Sequence, residues 1–298
     1  KLKSYLDYGT FQPIQIASII GLLLFCSVHA QTAPATYWIQ FTDKVNTPYT
    51  LSAPEDYLSA RAIERREAQG ITIDSLDLPV DPAYIAGLLA AGQFQVHNVS
   101  RWFNAVTLTS TDTLALDTIP QLPFVKAMRM VQDGRPRKSL AADKFPAATK
   151  ADVEIGGTYA SVYGASLRQV SMMNAHLLHT KANARGEGML IGILDSGFDQ
   201  ADSLPAFDEL RGRDGIVYDE DLVAHDGDVY GDHWHGRSVL SVIVGHLPGK
   251  MLGIAPNVDV VLLRTENADS EYLVEEDNWV SGAELADSIG CDVLNTSL

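Results

Sequence analysis

Three short apolar runs constrain the fold of the second half of this chain. They cover residues 189–194, 258–264 and 292–295, and each is nearly continuous rather than alternating with polar residues. A strand of that kind is buried on both faces, as in a parallel sheet covered by helices. Segments of helical composition lie before and between the runs, at 167–183, 236–245 and 278–289. We therefore predict a three-layer α/β fold with a parallel sheet over residues 158–298.

The first half has a different order of elements. Its composition predicts strands at 37–41, 95–100, 104–109 and 125–131, and helices at 55–69, 82–91 and 113–118. Apart from one extra helix, this is the β-α-β-β-α-β order of a split ferredoxin-like arrangement. We expect an α+β ferredoxin-like domain over residues 31–131. A stretch rich in Pro, Ala, Gly and charged residues, 132–157, predicts a linker before the parallel sheet.

The N-terminus has the layout of a secretory signal peptide. Lys1 and Lys3 supply positive charge, residues 16–25 are apolar, and Ala30 ends a segment of small residues that resembles a cleavage site. The apolar run is shorter than the ~20 residues that a spanning helix needs. We predict a signal peptide at 1–30 and export to the periplasm or the extracellular space. A buried helix of the core is the alternative.

Net charge and cysteine content limit which partners the chain can bind and whether disulfides stabilise its fold. The formal net charge of −16 disfavours binding to nucleic acid or stable association with an anionic membrane, because both require clustered Lys and Arg. The two cysteines are Cys26 and Cys291, and the first would leave with the signal peptide. One remaining cysteine forms no intramolecular disulfide. We expect Cys291 to serve core packing.

Two residues combine into a candidate catalytic pair. Asp195 follows a buried strand directly, and functional residues of parallel α/β sheets gather at the carboxyl ends of strands. His235 opens a helix that is apolar on nearly every side, so we expect that helix to be buried. An imidazole held by a carboxylate can take a proton from a hydroxyl nucleophile. The alternatives are a strand-ending turn aspartate and a capping or surface histidine.

Four sequence motifs in this order resemble those of the subtilisin-like serine proteases (subtilases). The segments ILDSG at 193–197 and HGRSVLS at 235–241 are similar to the aspartate and histidine motifs of that family. GIAP at 253–256 with VVLL at 260–263 matches its Gly-x-Ala-Pro turn and strand, and DVLNTSL at 292–298 resembles the strand that leads to its substrate-binding edge. Arg237 and Leu240 depart from the usual pattern. Residues 37–131 also resemble the inhibitory propeptide of the family.

The resemblance implies a secreted zymogen of a serine endopeptidase. Asp195 would orient the imidazole, His235 would act as general base and then acid, and a serine after Leu298 would attack the peptide bond. The partners would be polypeptide substrates and the chain's own propeptide in cis. No cofactor is required, although calcium is possible as a structural ion. Because the family's serine and oxyanion-hole asparagine motifs follow the strand at 292–295, residues 1–298 alone are expected to be inactive.

Two other classes of function remain open at this point. His233 and His235 have a spacing that can bind zinc, with Asp195 and Asp232 as possible oxygen ligands, so a metal-dependent hydrolase is one alternative. A catalytically dead binding protein on a protease scaffold is the other. The segment 226–231 fails as a calcium loop, because Tyr230 occupies a ligand position. We expect the acidic residues that follow the strand at 258–264 to be solvated.

Overall fold

The computed structural model describes residues 34–135 and 159–297. In the first range, which we call the antiparallel module, the strands are β1 Ala35–Phe41, β2 Gln95–Ser100, β3 Ala105–Ser110 and β4 Val125–Gln132, and the helices are α1 Ala60–Gln69, α2 Pro82–Ala91 and α3 Thr113–Thr118. The sheet order is β2-β3-β1-β4 and every pair is antiparallel. This topology confirms the predicted ferredoxin-like arrangement.

The second range is the parallel module. Its strands are β5 Leu190–Asp195, β6 Ile216–Asp221, β7 His246–Leu247, β8 Met251–Leu252, β9 Asp259–Arg264 and β10 Val293–Thr296. Its helices are α4 Ala160–Tyr163, α5 Leu167–Met172, α6 Ala175–Leu177, α7 Asp208–Gly212, α8 His235–Val244 and α9 Val274–Ile289, and a π-helical turn, Leu178–Ala182, follows α6. Four strands form a parallel sheet in the order β10-β5-β9-β6, and β7 pairs with β8 as a small hairpin.

Side chains of β5 and β9 alternate between two apolar layers, one on each face of the parallel sheet. On one face, Ile193, Val260 and Leu262 pack with Leu240 and Val244 of α8. On the other, Leu194, Val261 and Leu263 pack with Ala283 and Ala286 of α9. Successive residues of a strand point to opposite faces, so continuous apolar runs are what two covering helices require. The predicted three-layer fold is confirmed.

The structure corrects several predicted elements. Helix α1 begins at Ala60 rather than residue 55, because the hydroxyl of Ser59 accepts the backbone N–H of Ala62 and caps the helix there. The helix predicted over 167–183 is divided into α5, α6 and the π-helical turn. Strand β6 was not predicted. Helix α8 is buried on one face only, since Val242 is 51% exposed.

The antiparallel module packs against the parallel module mainly through α9, which contacts β2 and α1. Both modules belong to one compact unit. No helix within 34–135 or 159–297 is long and apolar enough to span a bilayer. The predicted signal peptide, 1–30, and most of the predicted linker, 132–157, lie outside the described residues and stay predictions.

Candidate active site

Asp195 is the last residue of β5, at the carboxyl edge of the parallel sheet. Its side chain is completely buried. Its register partner on β9 is Arg264, and its carbonyl oxygen accepts the backbone N–H of Thr265 at 2.9 Å. The strand pairing therefore fixes the backbone on which the carboxylate is mounted.

His235 is the first residue of α8, and the structure brings it to Asp195. Its Nδ1 atom lies 2.9 Å from Oδ1 and 3.1 Å from Oδ2 of the carboxylate. The imidazole is 21% exposed, whereas the carboxylate is fully buried. An Nδ1–H that donates to Asp195 leaves Nε2 unprotonated, which is the tautomer that a general base requires. The two residues predicted as a catalytic pair thus have the geometry that the prediction needs.

Two glycines permit this approach of α8 to β5. A Cβ on Gly236 would lie 2.4 Å from the carbonyl oxygen of Gly197 and 2.9 Å from Cβ of Asp195. Gly197 has φ +142°, and a Cβ there would lie 2.6 Å from the backbone nitrogen of His233. Larger residues would push the helix away from the carboxylate. The glycine of each motif is therefore a steric requirement of the Asp195–His235 contact.

Ser196 and His233 complete the surroundings of the carboxylate. The backbone N–H of Ser196 donates to Oδ1 of Asp195 at 2.7 Å, and its hydroxyl donates to the same oxygen at 3.1 Å. The Ser196 Oγ also lies 3.2 Å from Nδ1 of His233. That nitrogen in turn lies 3.3 Å from the backbone nitrogen of His235. Sequence reasoning assigned no role to Ser196 in holding Asp195.

Arg264 joins three segments at the same edge of the sheet. Its Nη1 lies 3.2 Å from Oδ2 of Asp221 at the end of β6, and its Nη2 lies 3.1 Å from Oδ1 of Asp232. Burial raises the pKa of Asp232, and the Arg264 charge opposes that rise. The pairing ties the segment before α8 to the ends of β6 and β9.

The departure at Arg237 from the family's histidine motif has a structural explanation. Its Nη1 donates to the carboxylate of Asp199 at 2.8 Å and to the Asp199 carbonyl oxygen at 3.0 Å. Asp199 lies in the loop that follows β5. The substituted residue therefore ties α8 to this loop and leaves the imidazole of His235 on Asp195.

The expectation that the acidic residues after β9 are solvated is wrong for two of them. Glu266 is 3% exposed and Glu275 is 9% exposed. Both line a cavity of about 610 Å³ with Tyr272, Trp279 and the end of β4. The sequence spacing contained no sign of burial, because it is the packing of α9 and β4 around this loop that covers the side chains.

The described residues contain no group of three His, Cys, Asp or Glu side chains arranged to hold a metal ion. Nδ1 of His235 meets the Asp195 carboxylate and Nδ1 of His233 meets Ser196. In the acidic loop, Asp228 Oδ1 accepts the backbone N–H groups of Tyr230 and Gly231 at 2.7 and 3.1 Å. The Nδ1 atoms of His233 and His235 are thus directed to different partners.

Cys291, predicted to serve core packing, is buried among the apolar residues between β5 and α9. Burial raises the pKa of its thiol to about 12. A thiol that stays protonated is a poor nucleophile and packs as a small hydrophobic side chain. The prediction is confirmed.

A cluster of polar contacts, which the sequence did not reveal, lies where α9 meets the antiparallel module. Glu284 accepts hydrogen bonds from the Ser100 hydroxyl at 2.6 Å and from the backbone N–H groups of Arg101 and Trp102 at 2.8 and 3.2 Å. Burial raises the pKa of Glu284, and these donors oppose the rise. The carboxylate thus caps the end of β2.

Arginines of the antiparallel module surround Asp287, one turn further along α9. Its carboxylate lies 2.5 Å from Arg65, 2.5 Å from Arg66 and 2.7 Å from Arg101. The spacing of Asp277, Glu284 and Asp287, seven and three residues, places them on one helix face. The spacing in sequence indicated that the three carboxylates share a helix face. It did not identify the antiparallel module as their partner.

Comparison with known proteins matches residues 36–144 to the peptidase S8 propeptide domain of Bacteroidota. This range covers the antiparallel module. No curated protein matches the chain.

Among solved structures, the chain is similar to fervidolysin from Fervidobacterium pennivorans, a keratinolytic enzyme related to subtilisin, with 12% identity, a TM-score of 0.49, and coverage of 90% of this chain and 36% of that one. It is also similar to the epidermin leader peptide processing serine protease from Staphylococcus aureus, with 12% identity, a TM-score of 0.48, and coverage of 89% and 50%. This chain therefore spans half or less of either structure.

Proposed function

Because residues 36–144 match the peptidase S8 propeptide domain, we propose that this chain is part of the zymogen of a secreted serine endopeptidase of the subtilisin-like S8 peptidases. Asp195 and His235 would be two members of an Asp–His–Ser triad. The observation that carries the proposal is the hydrogen bond of 2.9 Å between Nδ1 of His235 and the buried Asp195 carboxylate. Export rests on the signal-peptide pattern of residues 1–30.

In the proposed mechanism, His235 Nε2 takes the proton of a serine hydroxyl as that oxygen attacks a peptide carbonyl carbon. The imidazolium then gives the proton to the leaving amine. Asp195 keeps the ring in the required tautomer and stabilises the imidazolium, as its two short contacts to Nδ1 support. Polypeptides would be the substrates.

The antiparallel module is proposed to act on the parallel module in cis, as a propeptide. The support is the contact through α9, in which Glu284 caps the end of β2 and Asp287 meets three arginines. These contacts bind the propeptide through charges and backbone groups. Contacts of this polar kind are typical of interfaces between domains that can separate.

The test is self-processing of the full-length gene product. Asp195→Asn and His235→Gln are each expected to slow release of the propeptide by about 10³-fold or more, because triad members act as a unit. Asp202→Asn, on an exposed aspartate, and His246→Gln are the matched controls and should process normally. Mass spectrometry of the released fragment, at several protein concentrations, measures the intramolecular rate.

The alternatives give different results in the same experiment. Normal processing in Asp195→Asn or His235→Gln would contradict the triad. Processing that stops with a chelator and with His233→Ala, but continues in Asp195→Asn, would favour a metal-dependent hydrolase. Absence of processing in the unmodified protein, with the propeptide still bound, would favour a catalytically dead binding protein.

A further inference from the structure

A short chain of polar contacts connects His233 to the candidate pair. The Ser196 Oγ lies 3.2 Å from Nδ1 of His233 and 3.1 Å from Oδ1 of Asp195. The same Asp195 oxygen lies 2.9 Å from Nδ1 of His235. His233 therefore reaches the Asp195–His235 hydrogen bond through one hydroxyl, which is itself buried with its residue 1% exposed.

The Ser196 hydroxyl has one proton and two acceptors within reach. When His233 is neutral with Nδ1 unprotonated, that nitrogen accepts the backbone N–H of His235 and competes with Asp195 for the hydroxyl proton. When His233 is protonated, its Nδ1–H donates to Ser196 Oγ. The hydroxyl proton then has only Asp195 to bind. Protonation of one imidazole thus redirects a hydrogen bond onto the carboxylate that holds the other.

We propose that His233 is a positioning residue, which directs the Ser196 hydroxyl toward or away from Asp195 according to its own protonation and so changes the Asp195–His235 hydrogen bond. The proposal deepens the proposed function, because it is His235 that would act as the base. A carboxylate that accepts an additional donor shares its charge among more partners and binds the imidazole less strongly. The inferred result is an active-site base that responds to a second histidine.

Three carboxylates near these residues have guanidinium partners. Asp232, next to His233, lies 3.1 Å from Arg264, which also contacts Asp221. In the loop after β5, Asp199 pairs with Arg237 of α8. Each carboxylate therefore has a guanidinium partner that remains charged across the range in which histidine titrates.

The test follows the Nδ1–H proton resonance of His235 by NMR in the full chain, from about pH 5 to 9, the range in which histidines titrate. We expect two steps in the unmodified protein, one from each imidazole, because coupled sites titrate in two macroscopic steps. His233→Gln should lose one step. His246→Gln removes a histidine that contacts Glu209 instead, and it should keep both.

Variants at Ser196 separate a hydroxyl-mediated effect from direct repulsion between two imidazoles. Ser196→Ala should lose the second step although His233 is present, and Ser196→Thr, which retains a hydroxyl, should keep it. Two steps in His233→Gln, a single step in the unmodified protein, or two steps in Ser196→Ala would each overturn the proposal.

The measurement needs no peptide hydrolysis. If the full-length gene product fails to process itself while both titration steps of the His235 resonance are present, the proposed function fails. The coupling between His233 and His235 then stands. If processing follows the expected pattern but the second step is absent, only the role of His233 fails.

Discussion

Helices α8 and α9 cover opposite faces of the same parallel sheet, but they hold their polar neighbours by different means. At α8, the backbone comes close enough to β5 for one imidazole to meet one carboxylate, and Gly197 and Gly236 make that approach possible. At α9, the contact with the antiparallel module includes carboxylates that meet guanidinium and backbone N–H groups.

The difference shows how the two regions respond to change. Around Asp195, precision depends on size, because a single added Cβ would meet backbone or carboxylate atoms. Around Asp287, flexible arginine side chains can adjust to a change in shape. Removing one charge, however, leaves its oppositely charged partners buried with less compensation. A contact between one imidazole and one carboxylate requires fixed geometry, whereas a contact between several charged groups depends on charge complementarity.

The largest effect is expected from Arg66→Ala, on the charged side of this comparison. Arg66 is 6% exposed, donates two hydrogen bonds to Asp77 at 2.9 and 2.7 Å, and also contacts Asp287. Removing it leaves the buried carboxylate of Asp77 without this cation, which costs about 3–5 kcal/mol, whereas Asp287 keeps Arg65 and Arg101. The free energy of unfolding by urea measures the loss.

Arg129→Ala is the control for that prediction, because its side chain is 48% exposed and lies 3.7 Å from Asp277. Asp277 is itself buried, but with its partner half exposed and an N–O distance of 3.7 Å this ion pair contributes about 1 kcal/mol or less. Equal losses in the two variants would mean that burial does not decide the strength of these pairs. The contrast between the two helices would then lose its basis.

Gly236→Ala tests the steric side. The added Cβ would lie 2.4 Å from the Gly197 carbonyl oxygen, so α8 must shift, and overpacking of this kind costs about 2–3 kcal/mol. We also expect the Nδ1–H resonance of His235 to lose the signature of its bond to Asp195. Gly212→Ala is the matched control, because a Cβ there meets nothing within 4 Å. A stable Gly236→Ala protein with an intact resonance would contradict the steric argument.

The sequence predicted the local parts of this molecule well. Continuous apolar runs indicated β5 and β9, Pro82 and Gly92 marked the ends of α2 at 82–91, and the motifs around Asp195 and His235 indicated a pair that the fold brings within 2.9 Å. These features depend on the period of apolar residues and on turn chemistry, which a short window of sequence contains.

The parts that were missed depend on contacts between distant residues. Edge strand β6 has a mixed pattern, YDED at 218–221, because it borders the sheet on one side only. The partners of Glu284 and Asp287 lie some 180–220 positions away in sequence. Burial of Glu266 and Glu275 likewise follows from the packing of α9 and β4. No local pattern encodes such a pairing.

Asp277→Asn gives the smallest expected effect and the one that depends on pH. Burial raises the pKa of Asp277 from 3.8 to about 6, and the nearby Arg129 opposes the rise. Between pH 3.8 and about 6, the folded chain binds a proton that the unfolded chain has released. The free energy of unfolding therefore falls as the pH rises through this range. Above about pH 6 the ionised Asp277 lowers the free energy of unfolding by its full amount, on the order of 1–2 kcal/mol after allowance for partial solvation.

Asparagine carries no charge, so Asp277→Asn should raise the free energy of unfolding near pH 8 by that amount and change it little near pH 3. Glu276→Gln, on an exposed neighbour in the same turn, should leave the pH dependence unchanged. A gain that is equal at both pH values would show that Asp277 acts through shape rather than charge. The comparison of the two helices instead requires a gain near pH 8 only. At that pH the ionised Asp277 carboxylate weakens the contact of α9 with the antiparallel module.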